Sequence, residues 1–417
     1  MNKTSSNILL LISRKLALFS PFVFPLYLLR FKIIGIPFTV LEIFCYILFG
    51  IWILSVFLQK KTFQWNKLLS KYWFSAFLLI IGATIGVLIS PHYIILPLGV
   101  ELDAQSVALG VWKGWILAPI LYFVVITQVF SCKKDVDILL RNFVYSAALV
   151  SLVSYLFGIF GTGITYDFRL NGFFESANYL SLYLVPAVLL NIYFVLQRKK
   201  PLRAYYYIDL IALITIIHAI FFTKSYAAIL AIFGALGMTI LYFVLFKAKQ
   251  RRKFIIALIV LFVTFITVIL TQINSPKFKQ FLDFENRSST SVRLEIYTVS
   301  LDLIKENSLA GIGLGLFQAR YQNNATEILG HHPMEWNMPH PHNIFLAFWL
   351  NTGIIGLFAF IFLLILAHRK ITYPLFALWG IIIHGMFDVP FWKNDLAMIF
   401  WLIIGSILIL QLRKFKK

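Results

Sequence analysis

The sequence predicts an all-α, polytopic membrane helix bundle of about twelve transmembrane helices, with one large extracytoplasmic loop that itself contains helices. Of its 417 residues, 60% are hydrophobic and 17% are aromatic, whereas only 13% are charged. Soluble domains carry about 25% charged residues, and their cores cannot bury this much apolar surface. Lipid is therefore the expected solvent for much of the chain.

Twelve apolar segments approach the length of about 20 residues that an α-helix needs to cross a bilayer. They lie at approximately 16–31, 36–58, 72–90, 107–130, 136–159, 176–196, 204–222, 225–246, 253–273, 342–367, 371–387 and 395–412. Pro21, Pro25 and Pro37 interrupt the first two. The expected organisation is nine helices in 1–273, a periplasmic loop in 274–341 and three helices in 342–417.

Lysine and arginine are distributed unevenly between the two sets of connecting segments. With a cytoplasmic N-terminus, the inner segments carry 24 of the 37 basic residues and the outer segments carry 11. Thirteen of the 17 acidic residues fall outside when Asp395, at the outer boundary of the last span, is included. Basic residues concentrate in cytoplasmic loops of membrane proteins. The pattern predicts cytoplasmic termini, and it accounts for the net charge of +20 without a nucleic-acid partner.

The loop 274–341 is too long for a simple connection, and loops of this length are usually functional or disordered. Its stretch "SVRLEIYTVSLDLIKEN" places Leu294, Tyr297, Leu301 and Ile304 on one helical face, which predicts a helix on the membrane side of the loop. The following "GIGLGLF" is interpreted as a tight turn with close backbone approach rather than a dinucleotide loop, because no strand is predicted before it.

Four histidines, His331, His332, His340 and His342, fall within twelve residues at the end of this loop. With Glu335 they offer ligands for zinc, although no helical His-x-x-x-His pair supports a metal site. They are also compatible with a solvated loop. The third interpretation is a general base, since the ordinary pKa of histidine, about 6.5, suits proton transfer near neutral pH.

Three cations are predicted at the outer membrane boundary, namely Arg169, Lys224 and Arg293. Each could snorkel to the interface or pair with a nearby acid. Together they also suit an anionic ligand, because guanidinium groups bind phosphate oxygens in a bidentate fork and an ammonium adds a point charge. The acids available for pairing are Asp167, Glu175 and Glu295.

Four stretches carry local patterns of a known family: "RLNGFFESANYLSLYL", "SVRLEIYTVSLDLIKENSLAGIGLGLF", "HPHNIFLAFWLNTGIIGLFAF" and "DVPFWKNDLAMIFWLIIG". They resemble the bacterial O-antigen ligase and O-antigen polymerase superfamily, whose members are membrane glycosyltransferases that use undecaprenyl-diphosphate-linked sugars. The resemblance covers most of the chain, including the layout of spans and the late periplasmic loop. Each stretch is weak alone, and their order and membrane side make the resemblance specific.

The resemblance implies roles for individual residues. His342 matches the histidine that deprotonates the acceptor hydroxyl, and Arg293 matches the loop-helix arginine that binds the diphosphate. His340 and Asn343 are expected to shape the substrate site beside them. No cofactor and no metal is expected.

One position departs from the family pattern. A second arginine usually follows a Ser or Thr at the outer start of a middle span, and "TKSYAAIL" has Tyr226 there. Tyr226 is therefore expected at the substrate site without the charge. Lys224 or Arg169 is the candidate replacement for the missing cation.

The expected function is inverting transfer from an undecaprenyl-diphosphate-linked glycan to a sugar hydroxyl, on the outer face of the bacterial inner membrane. A surface-polysaccharide polymerase is favoured, because "HNIFLAFWL" has no acid soon after its asparagine. Transfer to lipid A core by an O-antigen ligase is the alternative. A lipid-linked-oligosaccharide flippase and a non-catalytic lipid-binding scaffold are rivals of other classes. A chain-length regulator and a flippase are the expected protein partners.

Overall fold

The computed structural model describes residues 3–59, 66–197, 204–246, 250–274, 278 and 287–412. The predicted all-α class is confirmed, because these residues form a bundle of helices with only two short hairpins. The helices are α1 (Lys3–Phe19), α2 (Val40–Gln59), α3 (Lys67–Leu88), α4 (Ala104–Val111), α5 (Ala118–Val129), α6 (Lys133–Ile159), α7 (Ala177–Leu196), α8 (Ala204–Thr223), α9 (Tyr226–Phe246), α10 (Arg251–Gln272), α11 (Ser289–Glu306), α12 (Phe317–Leu329), α13 (Ile344–His368), α14 (Pro374–His384) and α15 (Asn394–Gln411).

Shorter elements connect these helices. A π-helical segment, Trp112–Leu117, joins α4 to α5, and 3₁₀ turns cover Ser20–Phe22, Phe24–Leu28 and Pro97–Gly99. Strands β1 (Arg30–Ile33) and β2 (Ile36–Thr39) form one antiparallel hairpin, and β3 (Tyr93–Ile95) and β4 (Glu101–Asp103) form the other. Both hairpins lie in connections between helices, so they do not alter the helical class.

Ten helical segments of the described chain are long and apolar enough to cross a membrane. The predicted first span at 16–31 is wrong, because α1 ends at Phe19 and 3₁₀ turns follow. Proline lacks an amide hydrogen, so Pro21 and Pro25 stop the α-helix. The predicted eleventh span is only α14, whose 11 residues extend about 16 Å and reach halfway across a bilayer core.

Several residues in or beside the segments predicted to be cytoplasmic lie together at one end of the bundle. Arg14 pairs with Asp135 at 2.5 Å, and Lys133 pairs with Asp137 at 2.7 Å. The hydroxyl of Tyr373 donates to Asp137 at 2.6 Å. Twelve of the other basic residues assigned to this side fall in 60–65, 198–203, 247–249 and 413–417, which lie outside the described residues.

Helices α3 and α13 pack with their backbones in close approach. A Cβ at Gly82 would lie 2.6 Å from the carbonyl oxygen of Thr352, and a Cβ at Gly86 would lie 2.5 Å from that of Asn351. The spacing Gly82–Gly86 is the small-xxx-small pattern that lets membrane helices approach closely. The helix that follows the histidine loop is therefore fixed against α3.

Helix α13 is broken at Gly353, whose φ is +62° and ψ is −170°. The glycine turn of the loop occupies this break: the amide of Ile354 donates to the carbonyl of Leu309 at 3.1 Å, and that of Ile312 to Leu350 at 2.8 Å. Gly311 has φ +80° and a Cβ there would lie 2.4 Å from the Leu350 oxygen. The predicted tight turn with close backbone approach is confirmed.

The predicted loop helix is also confirmed as α11, which begins after a capping box between Ser288 and Ser291. Its protein-facing side carries Ile296, Val299 and Leu303. Part of the predicted apolar face points elsewhere, because Leu294 and Leu301 are exposed while Ile304 is buried. Of the loop before α11, residues 275–277 and 279–286 lie outside the described residues.

Candidate active site

Two histidines of the loop and one aspartate meet where α13 begins and α14 ends. Nδ1 of His342 lies 3.7 Å from Oδ1 of Asp388, and Nε2 of His340 lies 3.6 Å from the same oxygen. The two imidazole rings are edge to face with centroids 4.6 Å apart. The sequence separates these residues widely, and the turn after α14 brings Asp388 beneath both rings.

Burial and neighbouring charge act in opposite directions on this cluster. Burial of Asp388 opposes its ionised form, but the adjacent imidazoles of His342, His340 and His384 hold the pKa of its carboxyl well below the usual range. Burial, and then the nearby His342, lowers the pKa of His340 to about 3. At neutral pH the cluster therefore holds a carboxylate beside a neutral His340.

His342 has a φ of +50°, a left-handed conformation that is uncommon outside glycine. The hydroxyl of Tyr297, on α11, bonds to the carbonyl oxygens of His342 and Met386, each at 3.1 Å. The side chain of Asn343 caps α13, accepting from the amides of Phe345 at 2.9 Å and Leu346 at 3.2 Å. These contacts fix the backbone of His342 immediately before the first turn of the helix.

Arg293 reaches this cluster from α11. Its Nε donates to the carbonyl of Phe387 at 3.2 Å, and NH1 donates to that of Ser289 at 3.0 Å. The alternative pairing with Glu295 is not seen, since Glu295 accepts from the amide of Met334 at 2.8 Å. Contacts to main-chain carbonyls orient the guanidinium of Arg293 without neutralising its charge.

Arg169 approaches from the loop before α7. Its Nε donates to the carbonyl of Thr223 at 2.7 Å and NH2 donates to Oδ1 of Asn178 at 2.5 Å. Oδ2 of Asp167 lies 3.8 Å from NH1 of Arg169, so the predicted ion pair forms at a distance longer than a hydrogen bond. Burial lowers the pKa of the Arg169 guanidinium, with the carboxylate of Asp167 acting against it.

These side chains line two openings that share part of their walls. The larger is a cleft of about 430 Å³, and the smaller is a cavity of about 110 Å³. Arg169, Asn178, Ser289 and Arg293 line both. His342 lines the larger cleft, together with Tyr166, Asp167, Arg287, Ser288, Val292, Glu335 and Met338, and the smaller cavity is completed by Ser225, Tyr226, Ala227, Leu230 and Phe387.

Not every predicted site residue reaches these openings. Tyr226 does, as the first residue of α9, whereas Lys224 lines neither of the two and sits in a left-handed turn with φ +48°. His340 lies behind His342, against the ring of Tyr179. Among the described residues, Arg169 rather than Lys224 therefore shares the openings with Arg293.

Glu175, another acid predicted to pair with Arg169, Lys224 or Arg293, forms an ion pair with Lys393 instead. Lys393 pairs with Glu175 and lies over the rings of Tyr179, Tyr27 and Phe174 at 3.8, 4.8 and 5.3 Å. This aromatic cage anchors the start of α15 beside the histidine cluster.

Sequence reasoning missed Asp388, His384 and Asn178. Asp388 was included only in the stretch that resembles the last span of the family. An acid four residues after His384, at the predicted outer end of an apolar segment, could have indicated a functional residue by itself. Asn178 follows the Ser176 cap of α7, and its role as acceptor for Arg169 depends on tertiary packing.

A metal is sterically compatible with part of this cluster. One ligand atom each from His340, His342 and Asp388 lies within 4.8 Å of the others, and imidazole and carboxylate are suitable ligands for zinc. His331, His332 and Glu335 are not part of that group: His331 faces Glu295 at 3.8 Å, and Glu335 pairs with Arg287. The expectation of a metal-free site stays a prediction.

The described chain is a helical bundle with ten candidate membrane spans, and an imidazole–carboxylate pair and two arginines lie around one polar cleft at one end of it. Residues 211–361 match the family model described as O-antigen ligase, which confirms the resemblance to the O-antigen ligase and polymerase superfamily. The matched stretch runs from within α8 into α13 and includes Arg293 and His342, but neither Arg169 nor Asp388. No curated protein matches the chain.

Proposed function

We propose that this protein transfers a glycan from undecaprenyl diphosphate to a sugar hydroxyl with inversion at the anomeric carbon. The observation that carries the proposal is the shared lining of one cleft by His342, Arg293 and Arg169. A hydroxyl nucleophile needs a base, and a departing diphosphate needs positive charge. The cleft offers both within one opening.

His342 is the proposed base, acting through Nε2. Its Nδ1 is buried and faces Asp388, which favours the tautomer with hydrogen on Nδ1 and leaves the lone pair on Nε2. The carboxylate of Asp388 then stabilises the imidazolium that forms. His340 is a poor alternative base at neutral pH because its pKa is about 3.

The reaction is a single displacement. The acceptor oxygen forms a bond to the anomeric carbon, the bond from that carbon to the diphosphate oxygen breaks, and the hydroxyl proton passes to His342. Negative charge grows on the leaving diphosphate, where Arg293 and Arg169 stabilise it. One displacement at carbon inverts its configuration, and the lipid diphosphate carries away the bonding electron pair.

The smaller cavity suits the region where diphosphate meets lipid. Its lining combines the two arginines with the apolar side chains of Ala227, Leu230 and Phe387. The proposed location is the outer face of the bacterial inner membrane, with both termini cytoplasmic, and the excess of basic residues in the opposite connections supports it.

The favoured reaction is polymerisation, in which the acceptor is another lipid-linked repeat. The first turn of α13 has no acid after Asn343, and this feature is the basis of the preference. Transfer to lipid A core is the alternative. A flippase and a chain-length regulator are the proposed partners in the membrane.

The test is glycan lengthening by purified protein supplied with lipid-diphosphate oligosaccharide, alone or with lipid A core. We expect lengthening without the core acceptor, and a loss of roughly 10²- to 10⁴-fold in His342→Ala. His332→Ala, a matched change in the exposed part of the same loop, should keep full activity. Activity retained in folded His342→Ala would refute the base, and products that require lipid A core would identify a ligase.

A further inference from the structure

A second polar groove lies at the end of the bundle opposite the candidate active site. It has a volume of about 470 Å³ and is formed where α3 begins and where α13 and α15 end. Its described lining contains four cations and no acid: Asn66, Lys67, Leu68, Lys71, Arg369, Lys370 and Gln411. Nothing in the proposed transfer reaction uses it.

The floor of this groove is rigid. Gln411 is buried at the end of α15, and its Nε2 donates to the carbonyls of Leu366 at 3.1 Å and Ala367 at 2.8 Å. Its Oε1 accepts from the hydroxyl of the buried Tyr72 at 2.9 Å. Three helices are thereby joined below the cations, which are held around a preformed opening.

The helix ends at the groove favour an anion. The positive end of the α3 dipole lies at Lys67, after the Asn66 cap, where anions are stabilised. The negative end of α13 would have the opposite effect, but Gln411 covers two of its final carbonyls. The local field therefore adds to the charge of the lysines and arginine.

Apolar side chains continue the groove along both helices. Phe74 follows Lys71 by three residues and Ile365 precedes Arg369 by four, so each shares a helix face with a groove cation. Phe74 is 54% exposed and Ile365 is 59% exposed. A ligand with a charged head and apolar chains would match this arrangement, whereas a free phosphate would use only half of it.

We propose that this groove binds the headgroup of an anionic phospholipid from the leaflet at that end of the bundle. The phosphate would lie between Lys67 and Lys71 on α3 and Arg369 on α13, with the guanidinium supplying a bidentate contact. The acyl chains would run past Phe74 and Ile365. The bound lipid would tie α3 to the helix whose opposite end carries the candidate active site.

The test measures lipid retention by native mass spectrometry of the whole protein, with phosphatidylglycerol against phosphatidylcholine. The variant Lys67→Gln/Lys71→Gln/Arg369→Gln should weaken phosphatidylglycerol binding by roughly 100-fold. The control Arg251→Gln/Arg252→Gln/Lys253→Gln removes the same charge from the exposed start of α10, at the same end. It should bind like the unaltered protein.

Equal retention by the groove variant and the unaltered protein would overturn the proposal, and so would an equal loss in the control. Inorganic phosphate that displaces phosphatidylglycerol at equal concentration would show a site for the free anion. If the groove variant does not fold, photoactivatable phosphatidylglycerol on unaltered protein decides. Cross-links within 66–74 and 365–371 support the proposal, and cross-links only elsewhere reject it.

Discussion

Asp388 lies directly behind His342, with Oδ1 of the carboxylate 3.7 Å from Nδ1 of the imidazole. This separation is slightly longer than a hydrogen bond. His342 lines the larger cleft, whereas the buried Asp388 does not. In the proposed reaction Asp388 is therefore a positioning residue, while His342 contacts the substrate.

Replacing Asp388 with Asn should lower kcat by about 10²-fold with little change in the KM for the lipid-linked donor. The amide cannot stabilise the imidazolium, while the arginines that line the cleft are untouched. Steady-state kinetics of the purified variant measure both constants. Asp388→Glu should recover part of kcat, and a variant that raises KM alone would show that Asp388 binds donor instead.

The proposal that Arg169 replaces the arginine expected at Tyr226 can be tested by moving the guanidinium from one position to the other. Arg169 and Tyr226 both line it, so Arg169→Ala should lose roughly 10²- to 10³-fold in activity. The double variant Arg169→Ala/Tyr226→Arg should recover at least tenfold by returning a guanidinium from the opposite element. Lys305→Ala, an exposed cation on α11, is the control for charge loss.

Recovery by the double variant would show that the position of the charge, and not the packing of Arg169, matters for transfer. An inactive double variant that binds lipid diphosphate normally would contradict this interpretation. So would full activity of Arg169→Ala alone.

Stability should depend on pH through His340. Its pKa in the folded protein is about 3, below the value of about 6.5 expected when unfolded. Between these values the unfolded chain binds the additional proton, so stability falls as pH decreases from 6.5 towards 3. Thermal unfolding between pH 7.5 and 5 should show a smaller decrease in Tm for His340→Asn than for the unaltered protein; equal slopes would contradict the prediction.

Gly353→Ala should lower the free energy of unfolding by about 1 to 3 kcal/mol or more. The residue has φ +62°, and a Cβ there would lie 2.3 Å from the carbonyl oxygen of Leu309. Gly50→Ala on α2 is the matched control, since its Cβ would meet no atom within 4 Å. Thermal unfolding in one detergent compares them, and a Gly353→Ala protein as stable as the control would contradict the packing of the turn.

Metal content provides a separate test of the histidine cluster. We expect purified protein to contain less than stoichiometric zinc or manganese and to keep its activity in EDTA. Elemental analysis measures the metal directly, independently of activity. One tightly bound ion per chain, lost in both His340→Ala and Asp388→Asn, would overturn the expectation of a metal-free site.

Much of the fold was predictable because apolar runs indicate which segments cross the bilayer and the distribution of basic residues indicates their orientation. Two predicted spans were wrong in their helical extent. Pro21 and Pro25 follow the end of α1, and α14 is far shorter than the apolar segment that contains it. At the site, His342 and Arg293 belong to recognisable local patterns. Asp388 and Asn178 escaped because their partners are set by tertiary packing.

The break at Gly353 also has a consequence for the order of assembly. The turn at 309–312 leaves the ribosome before the α13 residues whose main-chain groups it contacts. Its final hydrogen bonds to Leu350 and Ile354 can form only once α13 has been made. The loop that carries Arg293 therefore reaches its final conformation only after α13 has been synthesised. In a chain truncated before residue 354, that loop should be more susceptible to proteolysis.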